Sequence, residues 1–315
     1  MRITNNVITN NYLRALNSSL ERQSKIQEQL TDGKAIHRPS DDPIKTIRSL
    51  RYNTNLAINE QYTQNVNDSI SWMETTDSAM SDLSSIMIRM KELAVSADST
   101  KPAEALNAIG TEMDQLINQA VAIGNTKIGD RYVFSGQADK TMPFERKTIT
   151  GPPAKDVVVY NGDQNKISML LKSGAVNPAE DGINLNGAEV FGPVEVISGN
   201  NTMGIFNQLI ALKEELQKPN PDTAYVAATG IANIDAAHSS QLKMHTQLGA
   251  RMSTYEMAKK MLEKSNTIIT NDVSVNEDLD IAAAIIDQKT SENVYKAALS
   301  VGAKIMPLSL VDFLN

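Results

Sequence analysis

Between residues 3 and 30 the apolar positions are Ile3, Val7, Leu13, Leu16, Leu20, Ile26 and Leu30, spaced mostly by threes, fours and their sums. That spacing predicts one amphipathic helix with a single stripe, which Gln23 and Gln27 weaken. A lone helix of this kind is marginal in water and needs a partner. A longer pattern runs from Pro43 to about Ala97. Tyr62, Val66, Met73, Met80, Leu83, Met87, Met90, Ala94 and Ala97 alternate threes and fours, with Ser69 and Thr76 filling the gaps. This is a heptad seam. At about 1.5 Å per residue such a helix reaches roughly 80 Å, which predicts a rod. Ser99–Pro102 is a turn with a new helix start, and Leu106, Ile109, Met113, Leu116, Ala120 and Ile123 continue the spacing. The short connection predicts an antiparallel neighbour.

The pattern breaks at Gly129. From there to Thr202 fall nine of the 16 glycines and five of the 11 prolines. Arg131–Phe134 and Val157–Tyr160 are short β-type runs, and Asn161–Gly162 is a hairpin signal leading into Ile167–Leu171. This reads as a small β-rich domain inserted into a helical rod. Helix returns near Met203 with Ile205, Leu209, Leu212 and Leu216, closed by Pro219. Asn220–Pro221 reads as a cap and first turn, and Ile234, Ala237, Met244, Leu248, Tyr255, Ala258 and Leu262 form a second long seam ending near Ile269. After Asn271–Asp278 a last helix carries Ile281, Ile285, Tyr295, Leu299 and Met306. The fold class is therefore mainly α with a small inserted β-rich domain: long antiparallel helices, with short terminal helices pairing as a coiled coil.

The stretch Leu30–Ile44, LTDGKAIHRPSDDPI, separates the first helix from the second. Gly33 stands where a left-handed C-cap belongs. Pro39 keeps His37–Arg38 extended. Asp42–Pro43 reads as an N-cap followed by proline at the first helical position, with Ser40 and Asp41 adding acceptors.

Composition narrows the function. A net charge of -7 argues against nucleic acid as a partner and against a polybasic membrane role. Aromatics are only 4% of the chain, which disfavours a carbohydrate cleft. With no Cys there is neither disulfide nor thiolate chemistry. No apolar run approaches the ~20 residues a membrane-spanning helix needs. MRITNNVITNNYL lacks the apolar core of a secretory signal, so export would use another route. Asp41–Asp42 could be a catalytic pair or a cation ligand, but the adjoining proline favours helix capping. His238 and His245 share a helix face seven residues apart without a third ligand in view. His37 is a solitary turn histidine, and Trp72 lies beside the seam with its role open. Met73–Met90 could line a binding groove, yet heptad spacing favours core packing. Phosphate-loop and dinucleotide glycine patterns do not occur. No catalytic, cofactor-binding or metal residues are expected.

Several motifs carry a family resemblance. MRIT with LTDGKAIHRPSDDP resembles the L-S-T-G-K-R-x-N-R-P-S-D-D-P pattern of the hook-associated branch of the flagellin superfamily. Filament flagellins usually have A-K-D-D-A there. RYVFSG at Arg131–Gly136 with Pro143–Phe144, GAEVFG at Gly187–Gly192, LGAR at Leu248–Arg251 and the C-terminal AALSVGAKIMPLSLVDFL are similar to family segments. The resemblance implies an extracellular structural subunit of the bacterial flagellum, at the junction of hook and filament. It implies unfolded export through the flagellar type III apparatus without a cleaved signal peptide. Implied partners are further copies in a ring, the first hook-associated protein, flagellin and an export chaperone. It divides the chain into an inner terminal-helix domain (1–42 and 275–315), a long-helix domain (43–140 and 203–274) and an outer β-rich domain (141–202). Alternatives are a filament flagellin, or an enzyme or adhesin domain displayed on such a rod. Assembly contacts are expected from Leu13, Leu16, Leu20 and Leu30, from Arg38, Asp41 and Asp42 in the turn, and from Ile281, Ile285, Tyr295, Leu299 and Leu310.

Overall fold

The computed structural model describes residues 5–149, 155–169, 182–197 and 199–305. Ile3, Leu171, Met306 and Leu310 lie outside them. The elements are α1 (Asn5–Asp32), α2 (Pro43–Ser96), α3 (Ala103–Gly124), β1 (Lys127–Ile128), β2 (Arg131–Tyr132), β3 (Phe144–Ile149) and β4 (Lys155–Tyr160). There follow α4 (Gly187–Val190), β5 (Val194–Ile197), β6 (Asn200–Met203), α5 (Gly204–Leu216), α6 (Thr223–Tyr225), a π-turn (Val226–Gly230), α7 (Ile231–Glu277) and α8 (Ile281–Ile305). Contacts group them into two compact units. One holds the described residues up to Asn59 and from Lys264 on; the other is Glu60–Glu263.

The larger unit is built on the α2 seam. Val66, Ser69, Met73, Thr76, Met80, Leu83, Met87, Met90, Ala94 and Ala97 are all buried, as the alternating spacing requires. Leu106, Ile109, Met113, Leu116 and Ala120 of α3 and Ile205, Leu209, Leu212 and Leu216 of α5 are buried as well. The methionines are core, not an open groove. Polar rungs sit among the apolar layers between α2 and α7. His238 Nε2 and Ser84 Oγ are 2.8 Å apart, Gln241 Nε2 donates to Met80 O at 2.7 Å, and His245 Nε2 lies 2.8 Å from Asp77 Oδ1. Thr76 satisfies its buried hydroxyl by returning it to Trp72 O at 2.8 Å.

The insert holds a four-stranded antiparallel sheet, ordered β3-β4-β6-β5, and a separate β1–β2 hairpin. Its core concentrates the few aromatics. Phe144 and Phe191 centroids are 4.7 Å apart, Phe191 and Phe206 5.2 Å, and Phe134 and Phe191 5.8 Å. These are edge-on or offset contacts of the favourable kind. The Tyr160 hydroxyl lies 3.0 Å from Phe134 O and 2.8 Å from Asp163 O, and accepts from Gly187 N–H at 3.2 Å. Burial pushes its pKa up to about 12. Trp72 is covered by the Arg131 guanidinium, 4.9 Å from its ring centroid.

A knot of charge fastens the sheet to the helices. Arg146 on β3 binds Asp156 on β4, Asn118 Oδ1 at 2.6 Å and Asp114 Oδ1 at 2.5 Å, and Lys213 on α5 reaches Asp156 at 3.3 Å. Burial opposes ionisation of Asp156. The Arg146 and Lys213 cations outweigh it and hold the carboxyl below its usual range.

Three sequence expectations are corrected. Asn161–Gly162 is not a hairpin turn into a strand: the described residues 161–169 form none, and β4 pairs instead with β3 and β6. Long-range bonds take the chain away, with Asn161 N donating to Pro143 O at 2.8 Å and Asp163 N to Ser135 O at 3.0 Å. The cap after Pro219 is Asp222, whose Oδ1 accepts from Tyr225 N at 3.0 Å, not Asn220. Finally, α7 does not stop near Ile269 but runs to Glu277, because Asn276 and Glu277 are bonded to α2.

Candidate assembly site

In the terminal unit the Leu30–Ile44 turn forms as its residues dictate. Gly33 has φ 69° and donates to Gln29 O at 2.9 Å, closing α1. Asp42 Oδ1 accepts from both Ile44 N and Lys45 N at 3.0 Å, and Pro43 is the first residue of α2. Asp41 has a different task. It accepts from Arg38 N at 3.1 Å and His37 N at 3.3 Å, and it binds Lys25 Nζ at 2.7 Å. The Lys25 bond, with those two amides, holds the Asp41 carboxyl below its usual range. His37 Nε2 lies 3.2 Å from Asp32 Oδ2, so the turn histidine is partnered from α1.

This turn pairs with a second one, between α7 and α8. Lys34 and Asp278 form an antiparallel bridge: Ala35 N donates to Glu277 O at 2.7 Å and Leu279 N to Gly33 O at 2.9 Å. Asp280 caps α8, accepting from Ala283 N at 3.0 Å. Glu277 is the centre. It is 7% exposed, and its carboxylate accepts from Ser49 Oγ, Asn53 Nδ2 at 2.9 Å and Lys34 Nζ at 3.1 Å. Burial alone would raise its pKa; the bonds from Ser49, Lys34 and Asn53 win and lower it. A polar hollow of ≈ 420 Å³ beside the turn is lined by Glu21, Ser24, Lys25, Glu28, His37, Arg38, Ser40 and Asp41.

α1 packs on α8, but not through the single predicted stripe. Tyr12, Leu16, Ser19, Gln23 and Ile26 are half-buried, as are Gln288, Ser291, Tyr295 and Ala298, with Ala284 and Gly302 buried. Tyr12 lies across Gly302, where a Cβ would stand 2.1 Å from its hydroxyl, and donates to Ala298 O at 2.9 Å. Of the expected assembly residues, Leu16, Leu30 and Tyr295 are half-buried. Leu13 and Leu20 are each 41% exposed, Ile281 57%, Ile285 47% and Leu299 43%. Arg38 is exposed, and Asp41 and Asp42 are half-buried. The inner side of the pair thus mixes small and polar residues with Leu16, Ile26 and two tyrosines, and leaves Leu13, Leu20, Ile281, Ile285 and Leu299 exposed.

Sequence reasoning missed Glu277, Lys34, Tyr12 and Gly302. Only Gly302 had a signal: an isolated glycine inside a helical pattern often marks a close approach. Asp32, Asp41, Asp42, Glu277 and Asp280 are committed to caps and ion pairs. Among the described residues no three His, Asp or Glu side chains gather where a metal could bind, and no helix is long and apolar enough to cross a membrane.

Residues 3–139 match the family of bacterial flagellin N-terminal helical regions. A flagellin of Clostridium tyrobutyricum is 34% identical over 127 residues, 40% of this chain and 34% of that one. Flagellar hook-associated protein 3 of Escherichia coli is 23% identical over 310 residues, 94% of this chain and 96% of that one. A solved structure, described as a putative flagellar hook-associated protein from Vibrio parahaemolyticus, shares the fold with a TM-score of 0.62 at 17% identity. It covers 75% of this chain and 99% of its own.

Proposed function

We propose that this chain, which resembles the flagellin superfamily and shares the fold of flagellar hook-associated proteins, is a structural subunit of the bacterial flagellum at the hook–filament junction, and not an enzyme. One observation carries the reading. The α1–α8 pair turns Val7, Leu13, Leu20, Ile281, Ile285 and Leu299 to the outside. Large apolar side chains left in water on a helix pair favour association with a partner that covers them. At about 25 cal/mol per Å², covering ~300 Å² of it contributes roughly 7 kcal/mol, enough to offset the ordering of many side chains.

The finer assignment follows the resemblance. The chain leaves the cell through the flagellar export apparatus, escorted by a chaperone. It joins further copies in a ring between the first hook-associated protein and flagellin. The terminal domain (1–42 and 275–315) supplies the inner coiled coil, 43–140 with 203–274 the long-helix domain, and 141–202 the outer domain. Arg38, Asp41 and Asp42 hold the turn in place for contacts between subunits.

Immuno-electron microscopy of the source bacterium tests this. A band at the distal end of the hook is expected. A second reading, a filament flagellin, is supported by the match over α1, α2 and α3; label along the whole filament would replace the first reading with it.

A further inference from the structure

We infer that α2 and α7 carry the two halves of a lateral contact: the outward face of α7 in one copy docks on the outward face of α2 in the next. The inference rests on the self-assembling reading above and names the surfaces that meet.

The first observation is the charge of α2. Between Arg51 and Arg89 the chain contains no Lys or Arg, yet it holds Glu60, Asp68, Glu74, Asp77 and Asp82. Asp77 faces His245 inside the helix pair. The other four are exposed, and at ~100° per residue they fall within an arc of about 120° opposite the buried seam. This face carries no apolar residue to explain it and no cation to balance it.

The second observation is α7, which is apolar on two opposite sides. One side is the seam of Ile234, Leu248 and Tyr255, all buried. The other exposes Leu242 at 44%, Met257 at 62% and Met261 at 62%, with Lys243 and Lys260 among them. Neither lysine has a charged partner among the described residues, and neither do Glu60, Glu74 or Asp82. Methionines adapt to the surface they meet, and lysine stems lie along apolar surface while the ammonium reaches past it. The faces also match in length: 242–261 covers roughly 30 Å and 60–82 roughly 33 Å.

A basic, methionine-lined face therefore fits an unbalanced acidic face of the same extent on another copy. The two faces are different surfaces of one chain, so the contact is heterologous. Each copy keeps one face free for the next, and the series closes into a ring or continues as a helix.

The chain has no cysteine, so introduced pairs report the contact cleanly. Full-length chain with Met257→Cys and Asp68→Cys, and a second form with Met261→Cys and Asp68→Cys to bracket the register, is oxidised in isolated flagella and as concentrated purified protein. A ladder of linked copies is expected, absent when either cysteine is omitted. In parallel, Lys243→Glu with Lys260→Glu, or Glu74→Lys with Asp82→Lys, lowers incorporation about tenfold by opposing like charges. All four changes in one chain restore it, because both faces are then reversed on every copy. Protein present in flagella without a ladder, or four changes that do not restore incorporation, overturns the inference and leaves the flagellar assignment standing. Protein absent from flagella overturns the assignment, and the purified chain's ladder then decides the inference alone.

Discussion

Replacing Glu277 by Gln tests the paired turns most directly. The side chain keeps its shape and loses its charge. In the wild type the carboxylate accepts from Ser49, Asn53 and Lys34 at a site only 7% exposed. Hydrogen bonds to a charged acceptor contribute about 1.5–3 kcal/mol each, and neutral ones about 0.5–1.5. Lys34 is largely in water, with 56% of its side chain exposed, so its share is discounted. The amide retains one acceptor for Ser49 or Asn53. The net loss is about 2 kcal/mol, which is roughly 30-fold in the closing equilibrium of the turns. Native-state hydrogen exchange reads this locally. Amides of Gly33, Ala35 and Leu279 should exchange roughly 30-fold faster, while the α3 and α5 amides stay unchanged. The pH dependence supplies a second check. The folded pKa of Glu277 lies below its ordinary value of 4.5, so its contribution is fully present above pH 4.5 and is lost as pH falls through the folded value. Wild-type protection of these amides should fall over that acid range, and the Gln variant should lack that component. Exchange within twofold of wild type, or the same acid response in both proteins, refutes the reasoning.

Gly302→Ala should open the α1–α8 pair despite the better helix former, because the new methyl would meet Tyr12; α1 amides lose protection, and adding Tyr12→Ala recovers part of it. Gly33→Ala should cost about 1 kcal/mol from its φ of 69° alone, since no atom lies within 4 Å of the new Cβ, and hydrogen exchange at the end of α1 measures it. Arg146→Met leaves Asp114 and Asp156 with Lys213 alone and should destabilise the sheet on its helices by roughly 3 kcal/mol, seen in urea unfolding followed by the single Trp72. Removing residues 1–40 or 280–315 should abolish assembly while 43–274 stays helical by circular dichroism; a truncated chain that still completes the junction refutes the role given to the terminal helices.

The α2 seam was legible in the sequence because one strict period governs it from Val66 to Ala97, and burial follows it residue by residue. The caps at Gly33 and Asp42 were legible because each is a local rule acting within a few residues. The α1 and α8 stripes were only half legible. Their spacing is compatible with two faces, and the choice went to the small residues that let Tyr12 approach Gly302. Asn161–Gly162 misled because a strong turn signal lost to bonds made with Pro143 and Ser135, which no local pattern reveals. The same holds for Glu277, whose partners Ser49 and Lys34 lie more than two hundred residues away. Arg146 and its three acceptors come from three elements, β3, β4 and α3, and leave no mark on the sequence.

The π-turn at Val226–Gly230 bears on how this chain can change length. A π-turn closes i to i+5 and so holds one residue more than the α-turn that would replace it. Deleting a single residue there can be absorbed by reverting to ordinary helix, with Ile234, Leu248 and Tyr255 keeping their azimuth. The same deletion between Ile234 and Leu248 would rotate everything beyond it by about 100° and carry Leu248 and Tyr255 out of the core. Natural length variation in this helix should therefore collect at its first turns and be purged from its middle.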